Sequence, residues 1–370
     1  NGPLARLGMN RIAMAPMIST SRRVRAGRLI QMPRRRRAAG CGHEGVVMTG
    51  RPVLIGGGSW GSALAAALQT AGGDPGVLVR DEDTVGMLAA GRCRQLPDLA
   101  PVAPIKATTD PSILGDAGLV FLVVPVSATA TALAQIATHA PSARAVVMCA
   151  KGMAMTDDGA LLMPELATRL VPGMPSVILS GPSFADEVMA GLPAAVTAAS
   201  ADASAVAAVQ QSFATSHLRV YAGGDALGVA IGGTMKNVIA IAAGCAIGLG
   251  LGDNARAAIV TRGLAEMARF AAAAGGAADT IYGLSGAGDL ALSCAGPHSR
   301  NMAYGLALGR GEVPDERLAE GRHTVAALAA RGRHLGVDLP ITNGVDKVVN
   351  GNAPLSQVVG ELLARQAGAE

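Results

Sequence analysis

The stretch "VLIGGGSWGSALA", Val53–Ala65, decides the fold of this 370-residue chain. It runs from a strand-like apolar segment into a helical pattern, and Gly56, Gly58 and Gly61 between them form G-x-G-x-x-G. In that setting glycines allow a tight turn, close approach of a pyrophosphate and an anion site at the helix N-terminus. The stretch therefore predicts dinucleotide binding, with an ordinary glycine turn as the alternative in a chain that has 49 glycines.

The end of the next strand pattern, "VLVRDED", bears on which dinucleotide would bind. An acidic residue at this place hydrogen-bonds the ribose hydroxyls of NAD, whereas an arginine accommodates the 2′-phosphate of NADP. Here Arg80 comes first and Asp81 second. The order favours NADP without excluding NAD, and an exposed turn charge is the alternative.

Short apolar runs alternate with helix-length segments from Arg51 to about Gly223, and helical patterns dominate afterwards. Buried strands separated by helices indicate a parallel sheet that is covered on both faces. The strand predictions are "RPVLIGG", "GVLVR", "LVFLVVPV", "RAVVMCAKG", "SVILSGPS", "PAAVTAAS" and, at an edge, "LRVYAG". "SALAAALQTAG" and "DGALLMPELATRLV" are predicted helices. The fold class expected is α/β, an N-terminal Rossmann-type doubly wound sheet with an all-helical C-terminal domain.

Three segments follow from these patterns: an Arg-rich extension (1–47), a dinucleotide-binding domain (48–223) and a helical substrate-binding domain (224–370). The first 50 residues hold ten arginines and one acid, Glu44, whereas the rest of the chain carries a net charge of −5. The body therefore has no basic surplus to suggest a nucleic-acid partner. We expect the extension to be disordered, a transit-like segment or sequence upstream of a native start at Met48.

The cysteines and the apolar runs of the chain indicate its cellular compartment. The five cysteines are scattered and form no CxxC pair or Cys/His cluster, so neither a disulfide framework nor a metal site is expected. A reducing cytoplasm fits best. The apolar run "VIAIAAGCAIGLGLG" is shorter than a bilayer requires, so no membrane span is expected. Alanine-rich helix faces after residue 224 suit either a homodimer or a core.

Lysine is rare in this chain. Of 31 basic residues only four are lysines: Lys106, Lys151, Lys236 and Lys347. Lys236 lies in the apolar run "IGGTMKNVIAIAAG" and shares its helical face with small or apolar residues, namely Gly232, Gly233, Ile239 and Ala240. Burial there would lower the pKa of the amine and make it a competent general base near neutral pH. A lysine that snorkels out to water is the alternative.

Polar residues at strand ends and helix starts are further candidates. Lys151 ends the strand pattern "VVMCAKGM", at the edge where ligands bind in open α/β sheets, and a solvated lysine is the alternative. The other candidates are Gly181 and Ser183 in "LSGPSFADEV", Asp289 in "LSGAGDLALSC", and Ser299, Arg300 and Asn301 in "GPHSRN". Helix starts of this kind suit an anionic group, but each could equally be a simple cap.

Together and in this order, "GGGSWGSALA", "AKGM", "SGPSFADEV", "GGTMKNVIAIAAG", "ARAAIVTRGLAEM", "GAGDLALSC" and "HSRN" resemble the bacterial NAD(P)-dependent glycerol-3-phosphate dehydrogenases, from about residue 50 to residue 360. The resemblance implies reversible interconversion of sn-glycerol 3-phosphate and dihydroxyacetone phosphate, which serves phospholipid synthesis. A related ketopantoate or 3-hydroxyacid reductase is one alternative, and "HSRN" argues against it. A protein that senses NAD(P) without turnover is the other.

The resemblance also implies roles for individual residues. Lys236 would be the general base, with Lys151 assisting electrostatically and Asp289 orienting the amine. Cofactor contacts fall on Gly56, Gly58, Ser59, Trp60, Gly61, Arg80, Lys151, Ala185, Arg300 and Glu320. Substrate contacts fall on Lys151, Gly181, Ser183, Lys236, Asn237, Asp289, Ser299, Arg300 and Asn301. Three departures stand out: Gly57 replaces a usual alanine, the surroundings of Glu320 differ, and the extension 1–47 has no counterpart.

Overall fold

The computed structural model describes residues 50–157, 159–315, 319–351 and 353–364, which belong to one compact unit. The predicted extension 1–47 lies outside the described residues. The strands within them are β1 (Arg51–Ile55), β2 (Gly76–Leu78), β3 (Lys106–Thr108), β4 (Ala117–Leu122), β5 (Ala145–Met148), β6 (Met153–Thr156), β7 (Gly159–Leu162), β8 (Ser176–Ser180), β9 (Ala194–Ala199) and β10 (Leu218–Gly223).

The helices alternate with the strands in the first part of the chain and follow one another in the second. In the described residues they are α1 (Ser59–Thr70), α2 (Glu82–Ala89), α3 (Val126–His139), α4 (Met163–Leu170), α5 (Ala185–Met189), α6 (Ala203–Ser212), α7 (Ala226–Gly248), α8 (Gly252–Ala273), α9 (Asp289–Ser293), α10 (Arg300–Arg310), α11 (Glu320–His334), α12 (Pro340–Val349) and α13 (Leu355–Leu363).

Eight of the described strands form one sheet in the order β10-β9-β8-β5-β4-β1-β2-β3. All neighbours are parallel except β8 and β9, which pair antiparallel. The predicted doubly wound sheet is confirmed, and β10 lies at an edge as expected. The sheet is mostly parallel, as predicted, and the antiparallel pairing of β9 with β8 is the departure from that pattern. Residues 181–193 remain at the carboxyl end of β8, so the chain returns antiparallel without the long crossover that a parallel pair needs.

Alternation along the strands covers both faces of the sheet. In β1, Leu54 packs into one hydrophobic cluster with α1, whereas Val53 and Ile55 pack into another with α3. In β4, Phe121 and Leu122 divide between the same two clusters. After Arg51 at the start of β1, these strands carry no polar side chain, because neither face meets water.

Two short segments differ from the sequence patterns: the strand β3 was not predicted, and the helix α4 begins later than predicted. β3 has no apolar run to reveal it, since Lys106 is exposed. The predicted helix "DGALLMPELATRLV" begins only at Met163, because Gly159 has a φ of +115° and starts β7 of a β6–β7 hairpin. Pro164 fits the first turn of α4, where its missing N–H costs nothing.

Helix α7 is the centre of the helical half. It has 23 residues, and an 18-residue window of it has a mean hydropathy of 1.5. Length and composition would therefore allow it to cross a membrane, which the sequence prediction did not anticipate. Within the described structure, 78% of that window is buried, which is the position of a core helix. The division into domains at residues 223 and 224 stays a prediction.

The approach of α7 to α10 depends on glycines in both helices. A Cβ on Gly244 would lie 2.2 Å from the carbonyl oxygen of Met302, and one on Gly305 would lie 2.0 Å from that of Ile241. Since both distances are far below contact, the two backbones can touch only where side chains are absent. The contact holds the start of α10 beside the middle of α7.

A buried carboxylate joins α8 to α12. Glu266, 1% exposed, accepts hydrogen bonds from the backbone N–H groups of Ile341 and Thr342 and from the Thr342 hydroxyl. Burial raises the pKa of Glu266 above its ordinary value, against these hydrogen bonds. The side chain satisfies N–H groups that the first turn of α12 would otherwise leave unpaired.

Candidate active site

The carboxyl ends of the parallel strands bring several predicted site residues to one edge of the sheet. The glycine loop follows β1, Arg80 follows β2, Lys151 follows β5, and Gly181 follows β8. The order of these strands reverses beside β1, where the connection to β2 runs one way and that to β4 the other. Ligands of open α/β sheets bind at such a switch point.

The glycine loop has the shape that a dinucleotide needs. Gly56 has a φ of +112°, and a Cβ on it would lie 2.3 Å from the carbonyl oxygen of Val123. A Cβ on Gly61 would lie 2.0 Å from the carbonyl oxygen of Gly56. Gly58, by contrast, has no atom within 4 Å of that position, so its open side can receive a pyrophosphate. Ser59 and Trp60 open α1 directly after it.

A groove of about 570 Å³ runs from this loop to the end of β2, and both Arg80 and Arg94 line it. Asp81 also lines it but caps α2: its Oδ1 accepts from the Thr84 N–H at 2.9 Å and the Thr84 hydroxyl at 2.8 Å. The bonds from Thr84 hold the pKa of Asp81 below its ordinary value. Arg80 has no hydrogen-bond or ion-pair partner in the described part of the chain.

Two of the four lysines share one buried carboxylate. Lys151 Nζ lies 2.6 Å from Asp289 Oδ2, and Lys236 Nζ lies 3.2 Å from Asp289 Oδ1. The side chains are 18%, 12% and 3% exposed for Lys151, Lys236 and Asp289. Lys236 Nζ also donates to the Ser293 hydroxyl at 2.8 Å. The predicted base, assistant and orienting acid therefore form a single cluster. The other two lysines pair with acids at the surface.

The charges in this cluster oppose one another. Burial lowers the pKa of the Lys236 amine, Asp289 opposes that effect, and the nearby Lys151 ammonium adds to it. Burial would raise the pKa of Asp289, but the two ammonium groups outweigh burial and hold the pKa below its ordinary value. An ionised carboxylate thus lies between two lysines, one of which can lose its proton more easily than usual.

Paired glycines in α7 make room for the cluster. A Cβ on Gly233 would lie 2.7 Å from Ser180 Oγ and 3.3 Å from Cγ of Lys151. One on Gly232 would lie 2.8 Å from the carbonyl oxygen of Ser285, in the π-helical turn that precedes α9. Both glycines were predicted to share the helical face of Lys236 as small, apolar neighbours. Their structural effect is to admit the Lys151 side chain and the segment that leads to Asp289.

Two buried asparagines connect the cluster to the helices behind it. Asn237 Nδ2 donates to the carbonyl oxygen of Lys151 at 3.4 Å, and Asn301 Nδ2 donates to Asn237 Oδ1 at 2.9 Å. Asn301 Oδ1 in turn accepts from the Gly321 N–H at 2.9 Å. The charge of Glu320, the first residue of α11, partly opposes the lowering of the Lys236 pKa. The predicted contacts Asn237, Asn301 and Glu320 thus meet around the two lysines.

The predicted anion-binding positions lie on two loops. Ser299 caps α10 by accepting from the Met302 N–H at 3.4 Å, and the exposed Arg300 has no partner among the described residues. The suggestion that Ser183 caps α5 is wrong, because its hydroxyl donates to the carbonyl oxygen of Gly181 at 2.9 Å and the cap position is Phe184. Ala185 is the first residue of α5.

Four residues with contacts at the site were missed. Ser293 could have been found from its spacing, since it lies four residues after Asp289 on the same helical face. Arg94 lies too far along the chain from the end of β2 to be recognised as part of a strand-end motif. Phe184 and His298 stack across the two anion-binding loops, with ring centroids 4.0 Å apart. No sequence period connects them.

A dinucleotide-type glycine loop at the sheet edge from which Lys151 meets Lys236 and their shared carboxylate defines a nicotinamide-dependent oxidoreductase. The family models described as NAD-dependent glycerol-3-phosphate dehydrogenase match residues 53–206 (N-terminus) and 225–360 (C-terminus). The chain belongs to this family.

Individual proteins agree with the family assignment. The glycerol-3-phosphate dehydrogenase (NAD(P)+) 1 of Sphingopyxis alaskensis is 41% identical over 323 residues, which cover 84% of this chain and 96% of the relative. The crystal structure of glycerol-3-phosphate dehydrogenase from Coxiella burnetii matches with a TM-score of 0.79 and 33% identity, over 86% of this chain and 100% of the other. A putative ketopantoate reductase from Ralstonia solanacearum, at 20% identity, a TM-score of 0.53 and coverage of 84% of this chain and 99% of the other, shares the fold alone.

Proposed function

We propose that this chain catalyses the reversible transfer of a hydride between NAD(P)H and dihydroxyacetone phosphate, which yields sn-glycerol 3-phosphate for phospholipid synthesis. The observation that carries the proposal is the pair of buried lysines on Asp289, at the sheet edge that holds the glycine loop. A protein that only senses a dinucleotide would have no use for two desolvated amines on one carboxylate, since burying them costs free energy.

Lys236 is the acid and base of the proposed reaction. A bound reduced nicotinamide supplies the hydride to the ketone carbon. The Lys236 ammonium donates the proton that the developing alkoxide requires, and in the reverse direction the neutral amine removes it from the hydroxyl. Burial lowers its pKa, so the neutral form is more accessible than in an ordinary solvent-exposed lysine.

The neighbours of Lys236 position the amine. Asp289 and Ser293 both contact Nζ and so restrict its direction. The Lys151 ammonium stabilises negative charge on the substrate oxygen and depresses the pKa of Lys236. Because Asn237 contacts the Lys151 backbone, the amide pair holds the end of β5 in place.

The phosphate group of the substrate is assigned to the start of α10. Arg300 is an exposed cation without a partner in the described part of the chain, and the N-terminus of an 11-residue helix presents N–H groups beside it. Gly181 and Ser183 approach from the loop after β8. Binding the non-reacting phosphate there would orient the carbonyl carbon for reduction.

NADP is the cofactor that we favour over NAD. Asp81, the acid that would hydrogen-bond the ribose of NAD, already caps α2 through Thr84. Arg80 is free to meet a 2′-phosphate, and Arg94 lines the same groove. Arg94 also lies 3.5 Å from Asp81, which leaves less negative charge beside the phosphate.

One assay tests the activity and its rivals. Purified protein is mixed with NADPH, and absorbance is followed on adding dihydroxyacetone phosphate, ketopantoate or a 3-oxoacid. Oxidation with dihydroxyacetone phosphate alone is expected. Oxidation only with ketopantoate or the 3-oxoacid would assign the other reductase activity, and NADPH binding without oxidation by any substrate would indicate a sensor.

The cytoplasmic location and a homodimer remain predictions. The described cysteines, Cys93, Cys149, Cys245 and Cys294, are buried and unpaired, as a reducing compartment allows. The exposed residues Leu251 and Leu363 line an apolar groove between α7, α8, α12 and α13, which is a surface that a second copy could cover. Light scattering on the purified protein distinguishes a dimer of about twice 36.9 kDa from a monomer.

A further inference from the structure

The two loops assigned to the substrate phosphate are joined by side chains that the proposed mechanism does not use. The rings of Phe184 and His298 are stacked at 4.0 Å with an interplanar angle of 25°. His298 Nε2 also lies 3.2 Å from Asp186 Oδ2. We call these three residues the clasp. It connects the loop after β8 with the turn before α10.

The position of the clasp couples it to the phosphate site. Phe184 directly follows Ser183, and His298 directly precedes Ser299. A shift of either ring is therefore transmitted through a single peptide unit to a residue of the proposed phosphate site. The clasp residues do not line the nucleotide groove. The predicted cofactor contact Ala185 lies between Phe184 and Asp186 but does not line this groove either. The effect of the clasp should thus fall on the substrate rather than on the cofactor.

Composition supports a specific use of Phe184. The chain has only four phenylalanines, and the other three, Phe121, Phe213 and Phe270, are at most 2% exposed in the core. Phe184 is only partly buried and its described ring contact is with His298. A phenylalanine at a loop surface, in a chain whose other three phenylalanines lie in the core, indicates a contact that matters locally.

We propose that the clasp holds the two loops at the spacing that a phosphorylated substrate requires, so that Phe184 and His298 are positioning residues for the substrate. The inference rests on the proposed function. Loops held together before binding need no ordering when the substrate arrives, and this preorganisation appears as affinity. The stacked rings contribute most, because the polar contact between His298 and Asp186 is partly open to water, with side-chain exposures of 54% for His298 and 34% for Asp186.

Substitutions at His298 separate the two contacts. In His298→Ala both are lost, and we expect the KM for dihydroxyacetone phosphate and the Kd for glycerol 3-phosphate to rise about three- to tenfold, with kcat within about twofold. His298→Phe keeps a stacked ring and should restore most of the affinity. His298→Gln keeps a hydrogen-bonding group towards Asp186 and should restore little. His334→Ala, at an exposed histidine of α11, is the matched control and should change nothing.

A double-variant cycle and a cofactor measurement complete the test. Phe184→Leu should raise the KM as His298→Ala does, and the double variant should be no worse than either single variant, since both remove the same contact. The Kd for NADPH, followed by quenching of the single tryptophan Trp60, should remain that of the wild type. The clasp would be overturned if His298→Ala left the substrate KM and Kd unchanged, or if the effects of Phe184→Leu and His298→Ala on KM were fully additive in the double variant. Turnover by the wild type would uphold the proposed function in either case. A wild type without turnover or glycerol 3-phosphate binding would overturn both.

Discussion

Replacing Asp289 by asparagine removes the charge that Lys151 and Lys236 share while keeping the size of the side chain. At the observed 3.2 Å, two unit charges at an effective dielectric constant of about 20 interact by about 5 kcal/mol. That energy corresponds to an upper limit of roughly 4 pH units. Opposite charges at such distances shift pKa values by about 1–3 units. We therefore expect the pKa of Lys236 to fall in Asp289→Asn, because the charge that opposes the effect of burial is lost.

The pH profiles of the two directions of the reaction slope in opposite senses. Reduction needs the Lys236 ammonium, so its rate falls as pH rises through the pKa. Oxidation needs the neutral amine, so its rate rises through the same pKa. Both midpoints should move to lower pH by the same amount, as measured from kcat/KM profiles in the two directions.

Asp74→Asn is the matched control for this experiment. Asp74 also lies 2.8 Å from a lysine, Lys106, but the two side chains are 61% and 66% exposed. Its removal should leave both profiles unchanged, because exposed pairs contribute little. Asp289→Asn protein that binds NADPH normally and retains wild-type midpoints would refute the assignment of Lys236 as the titrating group.

Three further changes test separate parts of the structure. Arg300→Ala should raise the KM for dihydroxyacetone phosphate about 10- to 100-fold through loss of a charged hydrogen bond, with Arg310→Ala as control; equal KM values would contradict the phosphate site. Arg80→Asp should shift the kcat/KM preference from NADPH towards NADH, and an unshifted ratio would count against its role. Glu266→Ala leaves two N–H groups of α12 unpaired and should cost about 2–4 kcal/mol, seen as a Tm lower by about 4–10 °C; an unaltered Tm would show that the cap is dispensable.

Much of the fold follows from local pattern. The apolar strands and the glycine loop are evident because burial on both faces and a phosphate turn each restrict the residues of a short segment. β3 and the β6–β7 hairpin are not, since they are short and carry no alternation. The antiparallel β9 depends on where a connection runs, which no single segment encodes.

The site shows the same division. The scarcity of lysine directed attention to Lys151 and Lys236 before any contact was known. That both meet one carboxylate depends on a contact between residues 138 positions apart, Lys151 and Asp289. Phe184 and His298, whose rings stack, are likewise far apart in the sequence. Long-range contacts of this kind arise from packing of the whole chain rather than from any periodic pattern.

We propose that Lys236 transfers the proton while a hydride reduces dihydroxyacetone phosphate. The most direct measurement is kcat for NADPH oxidation by wild type and Lys236→Arg, at saturating substrate and neutral pH. Arginine keeps the charge beside Asp289 but does not give up its proton. We predict a kcat lower by about 10²- to 10⁴-fold with an unchanged Kd for NADPH. A kcat within about threefold of wild type would contradict it.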